Sequence, residues 1–265
     1  MLTIEPYGDV TRLRMSTRAS RALGYDSSAY YTRGQLIDTG FPAVAREFSA
    51  WLDRERPKGV LVTHHHEDHS GNLELVAARG VPVAIADITL RAMRGLAPLK
   101  LYRRICWGSP PPLRSPMTPF TPAGLRLMPS AGHTPDHHVV WDAERETLFA
   151  ADLFLGVKVR VAADTERIPL LVQNLRAAIA LAPKRVFCAH RGMLKDPLGT
   201  LRAKADWLET LIADAARLRA EGMSDSAIAR ALLGREGTVR WLTRGEVSRG
   251  NLVRSSQQST VNDQQ

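Results

Sequence analysis

The feature that most constrains this chain is a short apolar run that ends in a cluster of histidines and acids. Residues 58–72 read KGVLVTHHHEDHSGN, in which residues 60–62 form the apolar run. Such a run, led by glycine and rich in β-branched residues, predicts a buried strand. The imidazoles and carboxylates after it are too polar to be buried without a partner, and they are ligands that suit zinc, iron or manganese. The alternative is a surface histidine cluster that binds no metal.

The spacing of these polar residues favours a metal site at a turn between a strand and a helix. His64 and His66 lie two positions apart, so in an extended segment their side chains point to the same side. Asp68 and His69 follow at once, where the chain must turn. We expect Ser70 to be the N-cap of the helix that follows. The pattern His-x-His-x-Asp-His therefore predicts several ligands at the end of one strand.

This motif carries a resemblance to a known family. The pattern His64-x-His66-x-Asp68-His69 is similar to the signature of the metallo-β-lactamase superfamily of metallohydrolases, and the resemblance covers about residues 28–192. It implies an α/β fold, a four-layer αββα sandwich, which a C-terminal helical extension follows in this chain. We expect residues 1–195 to form the metal-binding catalytic domain, residues 196–255 the helical extension and residues 256–265 a disordered tail.

The resemblance also implies a ligand set for two metal ions. The side chains that match the family's ligand positions are His64, His66, Asp68, His69, His133, Asp152 and His190. In the family, the first ion takes two signature histidines and the later His133, the second takes the signature Asp68 and His69 together with His190, and the carboxylate at Asp152 bridges the ions. Asp68 is also expected to orient the attacking water. The residues themselves support convergence, because four apolar runs each lead to one of these ligands at the carboxyl end.

Four further polar residues are not assigned as metal ligands. Asp38 matches a family carboxylate below the metal site, where it would hold a ligand histidine in one tautomer, although an ordinary turn residue before Gly40 is the alternative. His65 points away from its neighbours in an extended segment, so we expect a structural or exposed residue. His137 and His138 follow the His133 loop, and we interpret them as histidines at the start of a strand rather than as ligands.

Two divalent ions close together can share a water and lower its pKa, so that hydroxide is available near pH 7. We therefore expect a dinuclear metal-dependent hydrolase, with zinc favoured over iron or manganese, that acts on a small-molecule ester, thioester or lactone. One alternative is a nuclease or phosphodiesterase that acts on RNA or other phosphodiesters. The other is a persulfide dioxygenase with a single iron, which is distinguished by metal analysis.

Composition limits the partners of this chain. Its 265 residues are 44% hydrophobic, which is enough for a sizeable core, and no apolar run approaches the length of a membrane span. The first ten residues lack the apolar core of a secretory signal, so we expect a cytoplasmic protein. The net charge of +9 is compatible with nucleic acid, but the basic residues are scattered, and a nucleic-acid partner is not favoured. A homodimer stays open.

Two basic segments are candidates for substrate binding. Residues 97–123 are rich in proline and carry Arg103 and Arg104, which predicts a long loop that forms one wall of the cleft; a solvated surface excursion is the alternative. Lys158 and Arg160 follow Asp152 and are predicted to bind a carboxylate or phosphate, unless they are surface charges on an edge strand. The helices after residue 196 could cover the cleft, mediate dimerisation or pack against the sheet. Their weak likeness to a helix-turn-helix is the less favoured interpretation.

Overall fold

Two mixed β-sheets form the centre of the molecule in the computed structural model, which describes residues 1–22, 24–95 and 99–257. The strands are β1 (Leu2–Tyr7), β2 (Val10–Met15), β3 (Ser27–Thr32), β4 (Gln35–Ile37), β5 (Val60–Leu61), β6 (Val83–Ala84), β7 (Arg126–Pro129), β8 (His138–Asp142), β9 (Thr147–Ala151), β10 (Ala162–Ala163), β11 (Arg185–Cys188), β12 (Gly192–Met193) and β13 (Val247–Ser248). The first sheet has the order β1-β2-β3-β4-β5-β6, and the second has the order β12-β11-β9-β8-β7. The short strands β10 and β13 pair separately.

Helices cover both outer faces of this pair of sheets. They are α1 (Arg18–Ala22), α2 (Ala45–Glu55), α3 (Glu67–Ser70), α4 (Leu73–Ala77), α5 (Asp87–Arg94), α6 (Leu101–Trp107), α7 (Ile168–Ala180), α8 (Pro197–Ala220), α9 (Asp225–Leu233), α10 (Thr238–Leu242) and α11 (Arg249–Ser255). The parallel pairs β4–β5, β5–β6 and β9–β11 need such crossovers, whereas the antiparallel pairs β1–β2 and β3–β4 are each joined by a two-residue turn.

The alternation of side chains along each strand explains the order of the layers. On β4, Leu36 packs in the cluster that contains Phe48 of α2, while the next residue, Ile37, packs against Phe149 and Phe187 of the second sheet. Successive strand residues point to opposite faces, so a strand that is apolar on both faces must lie between two apolar layers. The predicted four-layer αββα sandwich is thereby confirmed.

The C-terminal helices share a hydrophobic core with the second sheet. Leu148 and Val186 on the outer face of that sheet pack in one cluster with Leu175 of α7, Leu208 of α8 and Leu252 of α11. The extension therefore supplies much of the outer layer rather than a separate core. The division between residues 195 and 196 stays a prediction.

Two serines differ in their relation to the start of a helix. Ser224 caps α9 by accepting a hydrogen bond from the Ala227 N–H. The capping role predicted for Ser70 is wrong, because Ser70 ends α3 and its hydroxyl donates to the carbonyls of His65 and His66. The following helix begins at Leu73 instead.

The segment 97–123 is not a loop throughout, since residues 101–107 form α6. Residues 97 and 98 lie outside the described residues, as do residues 258–265 of the predicted tail. Ser256 of that tail is buried, and its hydroxyl donates to the Val253 carbonyl, so ordered structure extends past residue 255. None of the described helices has the length and apolar character needed to cross a membrane.

Candidate metal centre

Strand ends and the turns after them bring the predicted ligands to one edge of the sandwich. His64 follows β5, and α3 carries Asp68 and His69 immediately afterwards. Asp152 directly follows β9, and His190 lies two residues after β11. His133 comes from the connection between β7 and β8. The prediction that separate apolar runs converge at one edge therefore agrees with the geometry.

Two backbone features allow the candidate ligands to come close together. Ala151 has a φ of 42°, which is unusual for a residue with a Cβ, and it turns the chain at the point where Asp152 leaves β9. Gly132 has a φ of 138°, and a Cβ there would lie 2.5 Å from the backbone nitrogen of Leu171. Only glycine therefore lets the His133 loop lie so close to α7.

The candidate ligand atoms form two groups. In the first group, His66 Nδ1 lies 3.1 Å from both His64 Nε2 and His133 Nε2. Asp152 Oδ2 completes this group at 3.2 Å from His133 Nε2 and 4.0 Å from His64 Nε2. All four ligand atoms lie within 4.8 Å of one another.

The second group consists of Asp68, His69 and His190, and Asp152 also reaches it. Asp68 Oδ2 lies 3.7 Å from His69 Nε2 and 3.6 Å from His190 Nε2. Asp152 Oδ1 lies 3.2 Å from each of the same two nitrogens. The two oxygens of Asp152 thus face different groups, which is the arrangement of a bridging carboxylate.

The donor atoms and their spacing fit divalent cations. Ligand atoms about 2.1 Å from a common tetrahedral zinc ion lie about 3.4 Å apart, and most separations in both groups are close to this value. His69 Nε2 and Asp152 Oδ1 are buried without a hydrogen-bond partner. Buried polar atoms are normally paired, so two such atoms aimed at a common point indicate a place for a cation.

Hydrogen bonds behind the histidines fix which nitrogen of each ring faces the centre. Asp38 Oδ2 accepts from His69 Nδ1 at 2.7 Å and from the Thr63 hydroxyl at 2.8 Å, and this hydroxyl lies 3.1 Å from His64 Nδ1. The Thr63 N–H donates to Asp38 Oδ1. Asp38 is therefore connected to two of the candidate ligand rings, directly to His69 and through Thr63 to His64, and its role in holding them stays a prediction.

Two partners of the histidines were missed by sequence reasoning. His190 Nδ1 donates to the Asp26 carbonyl at 2.6 Å, and His133 Nδ1 lies 3.5 Å from Glu166 Oε1. A backbone carbonyl carries no sequence signal. Glu166 lies in the connection before α7, and nothing in its local sequence indicates proximity to His133.

Burial lowers the pKa of two candidate ligand histidines, whereas nearby carboxylates raise the pKa of a third. Burial, with neighbouring histidines as a second cause, holds the pKa of His64 and His66 well below the ordinary value, so both rings are neutral. Burial would also lower the pKa of His133, but Asp152 and Glu166 outweigh it and raise this pKa to about 9. The carboxylates therefore make the centre attractive to positive charge.

The remaining histidines have structural hydrogen bonds. His65 Nδ1 donates to Asp136 Oδ1 at 2.7 Å, and although burial alone would raise the pKa of Asp136, this hydrogen bond helps to lower it to about 2. His137 Nδ1 donates to the Ser130 carbonyl, and its Nε2 accepts from the Asp152 N–H at 3.1 Å. His138 Nδ1 donates to the Asp136 carbonyl. His137 thus supports the backbone of a candidate ligand, which its sequence position did not reveal.

The basic residues proposed to contact substrate are either exposed or paired with acids. Lys158 and Arg160 are exposed, whereas Val159 and Val161 between and after them line a pocket beside His133 and Asp152. Arg103 is mostly buried and is engaged by Glu67 and Glu246. Arg104 is exposed.

Comparison with known proteins identifies the family. The sequence matches the family model described as the metallo-beta-lactamase superfamily over residues 33–190, so the chain belongs to this superfamily. It is 27% identical over 212 residues to the Beta-lactamase-like protein 2 homolog of Drosophila melanogaster, which covers 71% of this chain and 69% of the relative. It is 35% identical over 155 residues to a hydroxyacylglutathione hydrolase of Methylococcus capsulatus, which covers 56% of this chain and 55% of the relative.

A solved structure supports the same fold. The metallo-beta-lactamase FIM-1 from Pseudomonas aeruginosa, in its mono-zinc form, is similar with a TM-score of 0.61 and 16% identity, over 79% of this chain and 95% of that chain. At this identity the likeness concerns the fold alone. The family and the curated relatives together indicate a metal-dependent hydrolase, which is the general class predicted from the sequence.

Proposed function

We propose that this protein is a dinuclear metal-dependent hydrolase of a small-molecule ester, thioester or lactone. The observation that carries the proposal is Asp152, whose two carboxylate oxygens face two separate groups of histidines. The similarity to a hydroxyacylglutathione hydrolase supports a thioester or related acyl substrate. A cytoplasmic location is consistent with this function and stays a prediction.

The residues of the two groups would hold two divalent ions, with zinc favoured by the nitrogen and carboxylate donors. When bound, the ions supply Lewis acidity to the substrate carbonyl and activation of water. Asp68 lies in the second group, 6% exposed, where its carboxylate can accept a hydrogen bond from a water and orient it. Asp38 and Thr63 keep the ring nitrogens of His69 and His64 aimed at the centre.

The proposal is tested by loading the purified protein with zinc, manganese or iron and screening thioesters, lactones and phosphodiesters, with metal content measured on the same samples. We expect hydrolysis of an acyl substrate and about two zinc ions for each chain. Asp152→Ala should lose both metal and turnover. Asp164→Ala, which alters an exposed acid outside both groups of candidate ligands, is the control.

Other outcomes would replace this proposal. Full turnover and unchanged metal content in Asp152→Ala would refute the assigned bridge. One iron for each chain with oxygen consumption would favour a dioxygenase, and cleavage restricted to phosphodiesters would favour a nuclease.

A further inference from the structure

The short helix α10 carries three large apolar side chains, and none of its residues is buried. Val239, Trp241 and Leu242 are exposed, and the Trp241 side chain is the most accessible of them at 80%. Single exposed apolar residues are common on soluble proteins, whereas several of them on one short element mark a surface that contacts something else.

Helix α6 adds two more exposed apolar side chains beside α10. Leu101 and Ile105 lie four positions apart, so they share one face of α6, and both are exposed. The Lys100 ammonium, just before α6, donates to the carbonyl of Thr243, just after α10, at 3.4 Å. The two helices are therefore neighbours. Their exposed apolar side chains, here called the apolar surface, are Leu101, Ile105, Val239, Trp241 and Leu242.

Uncompensated positive charge accompanies the apolar surface. Arg104 of α6 and Arg244, two residues after α10, are exposed and have no ion pair with any residue that the structure describes. Glu246, a nearby acid, is already engaged by Lys100 and Arg103. Residues 88–135, which include α6, contain no aspartate or glutamate. The surroundings of the apolar side chains are therefore attractive to anions.

We infer that α6 and α10 dock this protein on the surface of a lipid bilayer that contains anionic lipids. Such a bilayer supplies phosphates for the arginines and an acyl boundary for the apolar side chains, and tryptophan is enriched at this boundary. A second copy of the chain would instead place like charges opposite one another in a two-fold interface. Nucleic acid would leave the aliphatic side chains without an apolar partner. The inference does not depend on the proposed function.

The test is sedimentation of the zinc-loaded full chain with vesicles of phosphatidylcholine alone and with vesicles that contain about one third phosphatidylglycerol. We expect the anionic vesicles to bind at least about tenfold more tightly, and added salt to weaken this binding. The tryptophan emission of the wild type should shift to shorter wavelength on the anionic vesicles, because Trp241 leaves water.

Matched variants separate the apolar surface from the rest of the protein. Val239 on α10 and Ile4 on β1 are both β-branched and equally exposed, at 41% each. Val239→Ser should weaken binding to anionic vesicles about fivefold to tenfold, whereas Ile4→Ser should bind like the wild type. Trp241→Ser should weaken binding at least about tenfold and abolish the emission shift.

A second pair of variants tests the charge. Arg240→Gln on α10 should weaken binding to anionic vesicles about fivefold, the factor expected for one cation near such a surface. Arg202→Gln removes an exposed arginine from α8 and should bind like the wild type. All of these side chains are at least partly in solvent, and an unchanged circular dichroism spectrum and zinc content show that each variant is folded.

Several results would overturn the inference. They are no binding of the wild type to either vesicle, equal binding to both vesicles, and equal effects of Val239→Ser and Ile4→Ser. A homodimer in solution that Trp241→Ser converts to a monomer would assign the apolar surface to a second copy of the chain. Binding of RNA, in place of vesicles, that Trp241→Ser abolishes would assign the surface to nucleic acid.

Discussion

Arg103 connects the metal-binding turn with the C-terminal extension, and its removal gives the sharpest prediction. Its Nε and Nη2 donate to the two carboxylate oxygens of Glu67 at 2.6 Å each, and its Nη1 donates to Glu246 at 3.0 Å. Glu67 is only 2% exposed and lies between His66 and Asp68 in the chain. Arg103→Ala would therefore leave a carboxylate buried and unpaired beside two candidate ligands.

The size of the effect follows from burial. Removing one partner of a buried ion pair costs about 3–5 kcal/mol, because the other charge stays desolvated. The Arg103 side chain is 18% exposed, so water can reach part of the space that it leaves, and we expect a loss near the lower end, about 3 kcal/mol. Metal affinity should fall as well, since Glu67 anchors the turn that carries Asp68.

The assay is urea denaturation of the metal-free protein, followed by zinc titration of the folded variant. Arg104→Ala is the matched control, because the Arg104 side chain is exposed and has no ion pair with any described residue. In a double-mutant cycle, Glu67→Gln should cost much less in the Arg103→Ala background than in the wild type. A loss in Arg103→Ala no larger than that in Arg104→Ala would refute the reasoning. If Arg103→Ala raised KM but left stability and zinc affinity unchanged, the result would instead support the interpretation of Arg103 as part of the cleft wall.

Two further predictions concern a buried lysine and the carboxylate below the metal centre. Burial lowers the pKa of Lys204 from 10.5 to about 8. Between these two pH values the Lys204 side chain is protonated in the unfolded chain and neutral in the folded chain, so the unfolded chain binds more protons. The free energy of unfolding of the wild type should therefore rise by about 3 kcal/mol as pH increases from about 8 to 10.5. Below pH 8 this gain is absent. Lys204→Met should lack this gain when denaturation is compared at both ends of the window, and an equal pH dependence in the two proteins would contradict it. Asp38→Ala should weaken zinc binding about 10-fold to 100-fold, as measured by competition with a chelator, because His69 loses the acceptor of its Nδ1–H; unchanged affinity would contradict that role.

The sequence predicted the parts of the site that follow from local pattern. His64 and His66 share a side because they lie two apart after a strand, and Asp152 directly follows the apolar run of β9. Each of these statements needs only the strand and the rule that carboxyl ends of neighbouring strands gather at one edge. The pairing of His133 and His190 with these residues needed the resemblance to a family as well.

The contacts that hold the site in place depend on packing between distant segments. Arg103 is 36 residues from Glu67 in the sequence. Its sequence context suggests a cleft wall or a solvated surface, because a basic residue in a proline-rich segment carries no sign of its burial. The sequence contains one signal of this ion pair. Glu67 lies inside the ligand motif, and a buried acid that is not a ligand needs a cationic partner. The N-cap prediction for Ser70 is wrong for a related reason. The Ser70 hydroxyl donates to the His65 carbonyl in the ligand turn and does not accept from the first turn of the next helix.

The C-terminal extension contacts both α6 and the surroundings of the candidate metal centre. Glu246 binds Arg103 and Tyr102 of α6. Trp207 and Leu252 line the small pocket that also has His133 and Asp152 in its lining. The candidate metal ligands belong to the connections of the sandwich, whereas the C-terminal helices pack around these connections. A change confined to the exposed faces of α8 or α11 should therefore leave the spacing of the candidate ligands unchanged. This separation gives a physical reason why the family signature alone does not specify the substrate.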